Sequence, residues 1–240
     1  MKITKIALLL SFVLVVALAF SSCGDTKGTE GLEFYPLPDG TYGVMVGNDL
    51  YMDKIVIPAK YNGKPVTQIL PSAFENAVNL TEIVIPNSIT SISDYAFSQC
   101  KSLTSVVIGD SVTYIGNFAF RDCSSLTSVV IPDSVTSIGK DAFSGCSSLT
   151  SITIPDSVTS IGDNAFCDCS SLTSITISDS VTSIGSYAFH GCSGLTNVEF
   201  KDPNGWYRDS YSISSSDLDN ASTAAQYLRS TYKSYTWTKE

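Results

Sequence analysis

The sequence predicts a repeat solenoid, a β-rich α/β fold in which short strands stack in parallel and are joined by turns and short helical turns. Two observations predict it. Every unit begins with Leu-x-x-Val-x-Ile or a close variant and later carries an Ala-Phe pair, and such a short unit cannot bury its apolar face without stacking on a neighbour. A 23-residue unit also recurs without insertion, with a partial last copy, starting at Leu80, Leu103, Leu126, Leu149, Leu172 and Leu195.

A comparison of the copies separates the predicted core from the predicted surface. Two variable positions precede the Ala-Phe pair, for example Asp94 and Tyr95 in one copy and Asn117 and Phe118 in the next. Solvent tolerates such variety, whereas a close-packed interior does not. The positions that stay apolar in every full copy are predicted to point inward, and in the third copy they are Leu126, Val129, Ile131, Val135, Ile138, Ala142, Phe143 and Cys146.

Each unit divides into two extended segments and a turn-rich remainder. In the third copy the first segment covers 126–131 and is stopped by Pro132. Together with the same segment of the other copies it is predicted to form one parallel sheet. Asp133 favours a turn, a second extended segment covers 135–138, and Gly139 is expected to permit a bend. The rest of the unit is too short for more than a helical turn or two.

The amino terminus has the pattern of an export signal. Residues 1–5 are basic, residues 6–20 are apolar apart from one serine, and Cys23 follows. Fifteen residues suit a secretory signal and are too few to span a membrane. The ending Phe-Ser-Ser-Cys resembles the lipobox of bacterial lipoproteins, which implies a signal peptide over 1–22 and lipidation of Cys23. The alternative is an ordinary cleaved signal with an incidental cysteine.

The remaining boundaries follow from where the period holds. We expect a flexible tether over 23–32, an N-terminal cap with a modified first repeat over 33–79, and repeats over 80–200. Residues 201–240 lose the period, contain both tryptophans and are predicted to form an aromatic C-terminal cap with a short helix near 221–230.

The unit Leu-Thr-Ser-Ile-x-Ile-Pro-Asp-Ser-Val-Thr-Ser-Ile-Gly-x-x-Ala-Phe-x-x-Cys resembles the BspA-like leucine-rich repeat. The resemblance covers about 55–200, and the segment 202–207 is similar to the usual C-terminal ending of that family. It implies a cell-surface protein that binds host or bacterial proteins. One departure concerns the position that general leucine-rich repeats fill with Asn or Cys, where a serine hydroxyl must satisfy the backbone. The serines are Ser88, Ser111, Ser134, Ser157 and Ser180.

Composition argues against nucleic-acid binding and against catalysis. The net charge is −9 with only fourteen Lys and Arg, so the basic stripe that phosphate backbones need is missing. His190 is the only histidine and lies at a variable position, and the chain has no Gly-x-Ser-x-Gly motif. We expect no catalytic residues, no enzyme activity and no cofactor.

Five of the seven cysteines share one repeat position, and we call them the thiol ladder: Cys100, Cys123, Cys146, Cys169 and Cys192. Parallel side chains in a core have poor disulfide geometry, so we expect buried thiols, with occasional bridging as the alternative. Cys167 lies at a variable position and is expected to be exposed and reactive.

No metal is expected, because the chain lacks a calcium or zinc ligand pattern. A turn position carries aspartates that are predicted to cap turns: Asp110, Asp133, Asp156 and Asp179.

Two surfaces could bind a partner. The sheet face repeats nearly the same residues in each copy and would be a generic platform, whereas Tyr95, Phe118 and Tyr187 share a variable position and are the candidate ligand-binding residues. The same rings could instead pack flat on the coil.

The predicted protein is therefore a non-enzymatic, monomeric lipoprotein, anchored to the bacterial outer membrane or cell surface. We expect protein binding or adhesion, with a protein or other surface macromolecule as partner. The alternative is a carbohydrate-binding accessory lipoprotein that uses the C-terminal aromatic residues.

Overall fold

The computed structural model describes residues 28–47 and 52–240, and in them the chain winds as a solenoid of seven coils. The predicted repeat solenoid is confirmed. The predicted signal peptide and Cys23 lie outside the described residues. None of the helices in the described part of the chain is long and apolar enough to cross a membrane.

The first extended segments form a parallel sheet of seven strands, the front sheet. Its register is shifted by one unit per strand, so that Ser128 pairs with Ser105 on one side and with Ser151 on the other. In spatial order its strands are β16 (Asn197–Phe200), β14 (Ser174–Ile177), β12 (Ser151–Thr153), β10 (Ser128–Val130), β8 (Ser105–Val107), β6 (Glu82–Val84) and β3 (Lys54–Val56).

The second extended segments also stack, which corrects the expectation of a single parallel sheet. Their residues form a separate ladder in the same register, because a second row of β-branched residues faces the core. This back sheet has twelve strands. They are β1 (Leu32–Pro36), β2 (Tyr42–Val46), β4 (Lys60–Tyr61), β5 (Lys64–Ile69), β7 (Ser91–Ile92), β9 (Tyr114–Ile115), β11 (Ser137–Ile138), β13 (Ser160–Ile161), β15 (Ser183–Ile184), β17 (Trp206–Arg208), β18 (Tyr211–Ser212) and β19 (Trp237–Lys239).

The core between the sheets consists of the predicted inward positions, and all eight positions of the third copy are buried. Its largest component is a column of phenylalanines whose rings stack from coil to coil, with centroids 5.0–5.5 Å apart. Each ring is covered by the rings of the neighbouring coils, so every coil depends on the next one to bury its phenylalanine. The column is Phe74, Phe97, Phe120, Phe143, Phe166 and Phe189.

Gly139 has a different role from the one expected. It does not adopt a positive φ, so the bend at this position does not require glycine. A Cβ there would stand 2.7 Å from the carbonyl carbon and oxygen of Gly116 in the preceding coil. The glycine is needed because two backbones approach each other this closely.

Both ends of the stack are covered. At the N-terminal end β1 and β2 form an antiparallel hairpin, and β2 continues the back sheet beside β5. At the C-terminal end Trp206 and Trp237 are each 1% exposed and contact Phe200 with ring centroids 5.2 and 6.1 Å away. The helices of this end are α1 (Ser215–Asp219), α2 (Ala221–Gln226) and a π-helical turn (Tyr227–Thr231), which confirms the short helix predicted near 221–230.

A candidate binding edge on the solenoid

Tyr95, Phe118 and Tyr187 occupy a column that follows the edge of the solenoid, and its backbone conformation is unusual. Every member has a left-handed backbone, with φ between 53° and 59°. The peptide N–H of Tyr95 donates to Asn117 O at 2.9 Å, and that of Phe118 donates to Lys140 O at 2.8 Å, which holds the conformation from coil to coil. We call this column the edge column, and its members are Ser72, Tyr95, Phe118, Asp141, Asn164 and Tyr187.

The residue types in the edge column differ in how well they tolerate this conformation. Asp141 and Asn164 belong to the types that enter the left-handed region most readily among residues other than glycine. Tyr95, Phe118 and Tyr187 are bulky residues, for which the same φ is an outlier that costs free energy. The repeated coil structure explains why every member of the edge column has the same left-handed backbone. It does not require an aromatic side chain at that position.

Two of the three predicted residues form one cluster. The rings of Tyr95 and Phe118 are stacked, with centroids 4.6 Å apart and planes 9° from parallel. Tyr95 is 38% exposed and Phe118 is half-buried. The guanidinium carbon of Arg121 lies 5.7 Å from the Phe118 ring centroid, and Arg121 Nε is 3.5 Å from Asp122 Oδ2. The cluster therefore combines an apolar pair of rings with a cation at its margin.

Tyr187 does not join that cluster, because the coils of Asp141 and Asn164 lie between it and Phe118. Its ring is 39% exposed and meets His190 edge to face at 5.7 Å. Its N–H donates to Lys233 O in the C-terminal cap. The structure thus gives one paired and one isolated aromatic group on the same edge.

A ladder of short polar side chains runs beside the edge column. Asp94 Oδ1 accepts from Asn117 N at 2.8 Å, Asn117 Oδ1 accepts from Lys140 N at 2.9 Å, and Asp163 Oδ1 accepts from Ser186 N at 2.8 Å. From the sequence, the repeat position of Asp94, Asn117 and Asp163 was recognised only as variable. The recurrence of Asp and Asn there is the signal that was missed, because these side chains can cap the N–H of the next coil.

The thiol ladder lies in the core. Each Sγ donates to the carbonyl of a core phenylalanine at 3.1–3.2 Å. Burial raises the pKa of Cys123, Cys146 and Cys169, and it raises the pKa of Cys192 to about 12. Thiols in such a setting are packing groups rather than nucleophiles.

Cys167 does not match the expectation of an exposed, reactive thiol. The side chain is half-buried, and Ser98, at the same repeat position, is only 2% exposed. Burial, with the nearby carboxylate of Asp168, raises the pKa of Cys167 to about 11. The expected exposure was wrong because the repeat position is variable in type but partly covered, while the reactivity of this thiol stays a prediction.

At the turn position Asn87 caps the next coil and serine hydroxyls satisfy part of the backbone, while the capping role of the four aspartates stays a prediction. Asn87 Oδ1 accepts from Asp110 N at 3.0 Å. Ser134 Oγ donates to Val112 O at 2.6 Å, in the preceding coil. Ser88 Oγ is buried with no hydrogen-bond partner among the described residues. Within the same residues no three His, Cys, Asp or Glu side chains are placed to hold a metal ion.

Comparisons with known proteins agree with this geometry. The family model for the BspA type leucine rich repeat region matches in six copies, over residues 67–196 and 113–234. No curated protein sequence matches the chain.

Two solved structures with related sequences share the fold. The leucine rich repeat protein of T. pallidum is 26% identical with a TM-score of 0.56, over 72% of this chain and 91% of that one. A leucine rich cell surface protein of Faecalibacterium prausnitzii A2-165 is 31% identical with a TM-score of 0.54, over 77% of this chain and 57% of that one.

The pneumococcal vaccine antigen PcpA is 21% identical with a TM-score of 0.56, over 77% of this chain and 51% of that one, and it shows likeness of fold alone. The present chain thus spans little more than half of the F. prausnitzii and pneumococcal chains.

Proposed function

The chain belongs to the family of BspA type leucine rich repeat regions, and from that premise we propose that it is a non-enzymatic surface protein that binds another protein through its edge column. Leucine-rich repeat proteins of this kind are generally binding scaffolds rather than enzymes.

The stacked pair of Tyr95 and Phe118 is the observation that carries the proposal. Asp141 and Asn164 adopt the same left-handed backbone, so the fold accepts a small polar residue at this position. Aromatic residues there cost roughly 1–2 kcal/mol each in conformation, and the stacking of their rings returns about 0.5–1.5 kcal/mol. Packing alone gives little reason for two partly exposed rings, whereas aromatic side chains are good anchors for a protein partner.

The front sheet offers less for discrimination. Ser105, Ser128 and Ser151 occupy the same position in three neighbouring strands, so successive coils present nearly the same surface. Val130 is 67% exposed there, yet it stands in register with another valine, Val107. A partner on this face could slide by one coil with little change in contacts. The edge column differs at every coil and would fix one position.

The test compares two double variants of the same chain. Tyr95→Asn with Phe118→Asn removes the rings while keeping residues that suit the backbone, as Asn164 shows in its own coil. Ser128→Ala with Ser151→Ala alters the front sheet as the matched control. Both are immobilised beside the unaltered chain after their melting temperatures have been compared, and proteins that bind from host and bacterial surface extracts are identified.

We expect a bound protein that is retained by the control and lost by the edge variant. Titration calorimetry with that purified protein should then show a loss on the order of 1–2 kcal/mol for each ring. A loss confined to the serine variant would move the site to the front sheet. Tyr187→Asn, made alone, shows whether the binding footprint reaches the isolated tyrosine three coils beyond Phe118.

We also propose a lipid anchor at Cys23, which rests on the sequence of the export signal. Cys23→Ala should move the protein from the membrane fraction to the soluble fraction of cells, because no helix of residues 28–47 and 52–240 is long and apolar enough to span a membrane. Protease accessibility on intact cells then reports whether the anchored protein faces outward. Unchanged membrane retention of the variant would refute the anchor while leaving the binding proposal intact.

The alternative, a carbohydrate-binding accessory protein, loses its two largest aromatic groups, because Trp206 and Trp237 are buried against the last coil. A patch that stacks on sugars needs exposed ring faces. The tyrosines of the cap are the aromatic residues that remain available for such a role, and Tyr211 at 66% exposed is the most open of them.

A further inference from the structure

One arginine of the C-terminal cap is held by aromatic rings instead of by a carboxylate. Arg208 lies at the end of β17, directly across the hairpin from Tyr211 in β18. Its guanidinium carbon is 4.2 Å from the ring centroid of Tyr232, 5.2 Å from that of Tyr211 and 5.3 Å from that of Tyr235. We call these four residues the arginine cluster.

The guanidinium of Arg208 makes no ion pair and no side-chain hydrogen bond within residues 28–47 and 52–240, in contrast to its neighbours. In the same cap Lys239 Nζ is 2.9 Å from Asp202 Oδ2, and Lys201 Nζ is 2.7 Å from Asp156 Oδ1. An arginine carries five N–H donors in a planar fork that matches a carboxylate. In the arginine cluster those donors have no acceptor among the described residues, so an acceptor from outside fits there.

The charge of the chain favours an anion at this end over the coils of residues 80–200. Residues 201–240 contain five basic and five acidic residues, so the cap is formally neutral. The whole net charge of −9 therefore belongs to residues 1–200. A ligand with one negative charge is repelled less at the cap than at the coils, whereas a polyanion long enough to reach the coils would be repelled.

The cluster is also preorganised. The backbone of Arg208 is paired with β18 on one side and with Trp237 of β19, a buried residue, on the other. Three rings around the guanidinium limit its rotamers, so less conformational entropy is lost when a ligand binds. Next to it the Tyr211 ring is 66% exposed and offers an open apolar surface.

We infer that the arginine cluster is a binding subsite for a sugar that carries a single carboxylate, such as a uronic acid at the end of a glycan. The carboxylate takes the two parallel N–H donors of Arg208, and the C–H face of the sugar ring packs on Tyr211. An acidic peptide would use the arginine but not the open ring, and it would bring further negative charge toward the coils. This subsite lies apart from the Tyr95–Phe118 pair, although Tyr187 at the end of the edge column bonds to Lys233 beside Tyr232, and it does not rest on the proposed function.

The experiment measures binding of two matched disaccharides to the full chain by ligand-observed NMR and calorimetry. One ends in glucuronic acid, and the other has glucose in its place. We expect the acidic disaccharide to bind about tenfold more tightly, because only it can accept the charge-assisted hydrogen bonds. Its affinity should fall as salt is raised.

Three variants locate the site. Arg208→Lys keeps the charge but loses the fork, and Tyr211→Ala removes the exposed ring, so each should weaken the acidic disaccharide by about tenfold. Tyr35→Ala removes an exposed tyrosine at the opposite end of the solenoid and should change nothing. Melting temperatures of all three are compared, so that an unfolded cap is recognised, and Arg208→Gln provides a second variant if the lysine variant is unstable.

Several results would overturn the inference. Equal binding of the two disaccharides would show that the carboxylate is not recognised. Full affinity of the folded Arg208→Lys and Tyr211→Ala variants would place any binding elsewhere. Tighter binding of a glutamate-containing tripeptide than of the acidic disaccharide would assign the cluster to a peptide instead. The edge variants should bind the disaccharide normally, so failure here and failure of the proposed function are distinguishable.

Discussion

Replacing Phe118 with asparagine should destabilise the solenoid only moderately, although the residue is a half-buried phenylalanine. The substitution removes a bulky residue from φ 58°, which returns about 1 kcal/mol. It also removes the stack on Tyr95, worth about 1 kcal/mol, and the Arg121 contact, worth about 0.5–1 kcal/mol at an exposed site. Withdrawal of the half-buried ring from its packing costs about a further 1–1.5 kcal/mol, so the net loss in the free energy of unfolding should be about 2 kcal/mol.

Phe120, two residues later, is the matched comparison. It is fully buried and stacks on both neighbours in the phenylalanine column, at 5.0 and 5.2 Å. Phe120→Ala should therefore cost about 3–5 kcal/mol. Thus two phenylalanines of one coil should differ about twofold in their effect on stability.

The assay is equilibrium unfolding in urea. Fluorescence follows Trp206 and Trp237, which report on the C-terminal cap, and circular dichroism follows the coils, since a solenoid can unfold in parts. The two probes should give the same ranking of variants. If Phe118→Asn destabilised the chain as much as Phe120→Ala, the ring at the edge would be a packing element, and the argument for a binding role would be lost.

Three further predictions concern single groups. A thiol reagent should modify Cys167 slowly at neutral pH and faster by about tenfold per pH unit toward its raised pKa of about 11, and mass spectrometry should find the thiol ladder labelled only after unfolding. Gly139→Ala should cost about 1–3 kcal/mol in the same urea assay because its Cβ would strike the backbone of the preceding coil, with Ser128→Ala as the neutral control. The Lys239 ammonium lowers the pKa of Asp202 to about 2. Their pairing therefore stabilises the cap above about pH 4, and this stabilisation is lost as the pH falls through 2. Tryptophan fluorescence during acid titration should show that the cap of Asp202→Asn depends less on pH over this range.

The repeats themselves allowed the fold to be predicted in unusual detail. Comparing six copies of one unit is an internal alignment, and it assigned inward positions such as Phe143 and Cys146 correctly. The second ladder was missed because two-residue strands such as Ser137–Ile138 are recognisable only when their neighbours supply the hydrogen bonds. The role of Gly139 was missed for a related reason, since closeness between coils is not visible within one copy.

The candidate site was predictable only in part. The sequence places Tyr95 and Phe118 in one column but does not say that their rings cover each other or that the backbone there is left-handed. The residue type varies at the repeat position of Cys167, and this variation was taken as a sign of exposure. A position can vary in residue type and still be partly covered by the neighbouring coil. The arginine cluster depends on a cap that has no repeat, so no comparison between copies could have indicated it.

The shared register of both sheets gives this chain a simple route for change in evolution. Because Ser128 pairs with Ser105 and Ser151 in the same way, every coil presents the same junction to the next, and a unit can be gained or lost by unequal recombination without rebuilding the core. Loss of residues 126–148 would bring Phe118 and Tyr187 one coil closer while leaving Phe118 stacked on Tyr95 and Tyr187 beside His190. The distance between two recognition residues on the edge can therefore change only by whole coils, as repeat units are added to or removed from the gene. It can change without altering the recognition residues themselves.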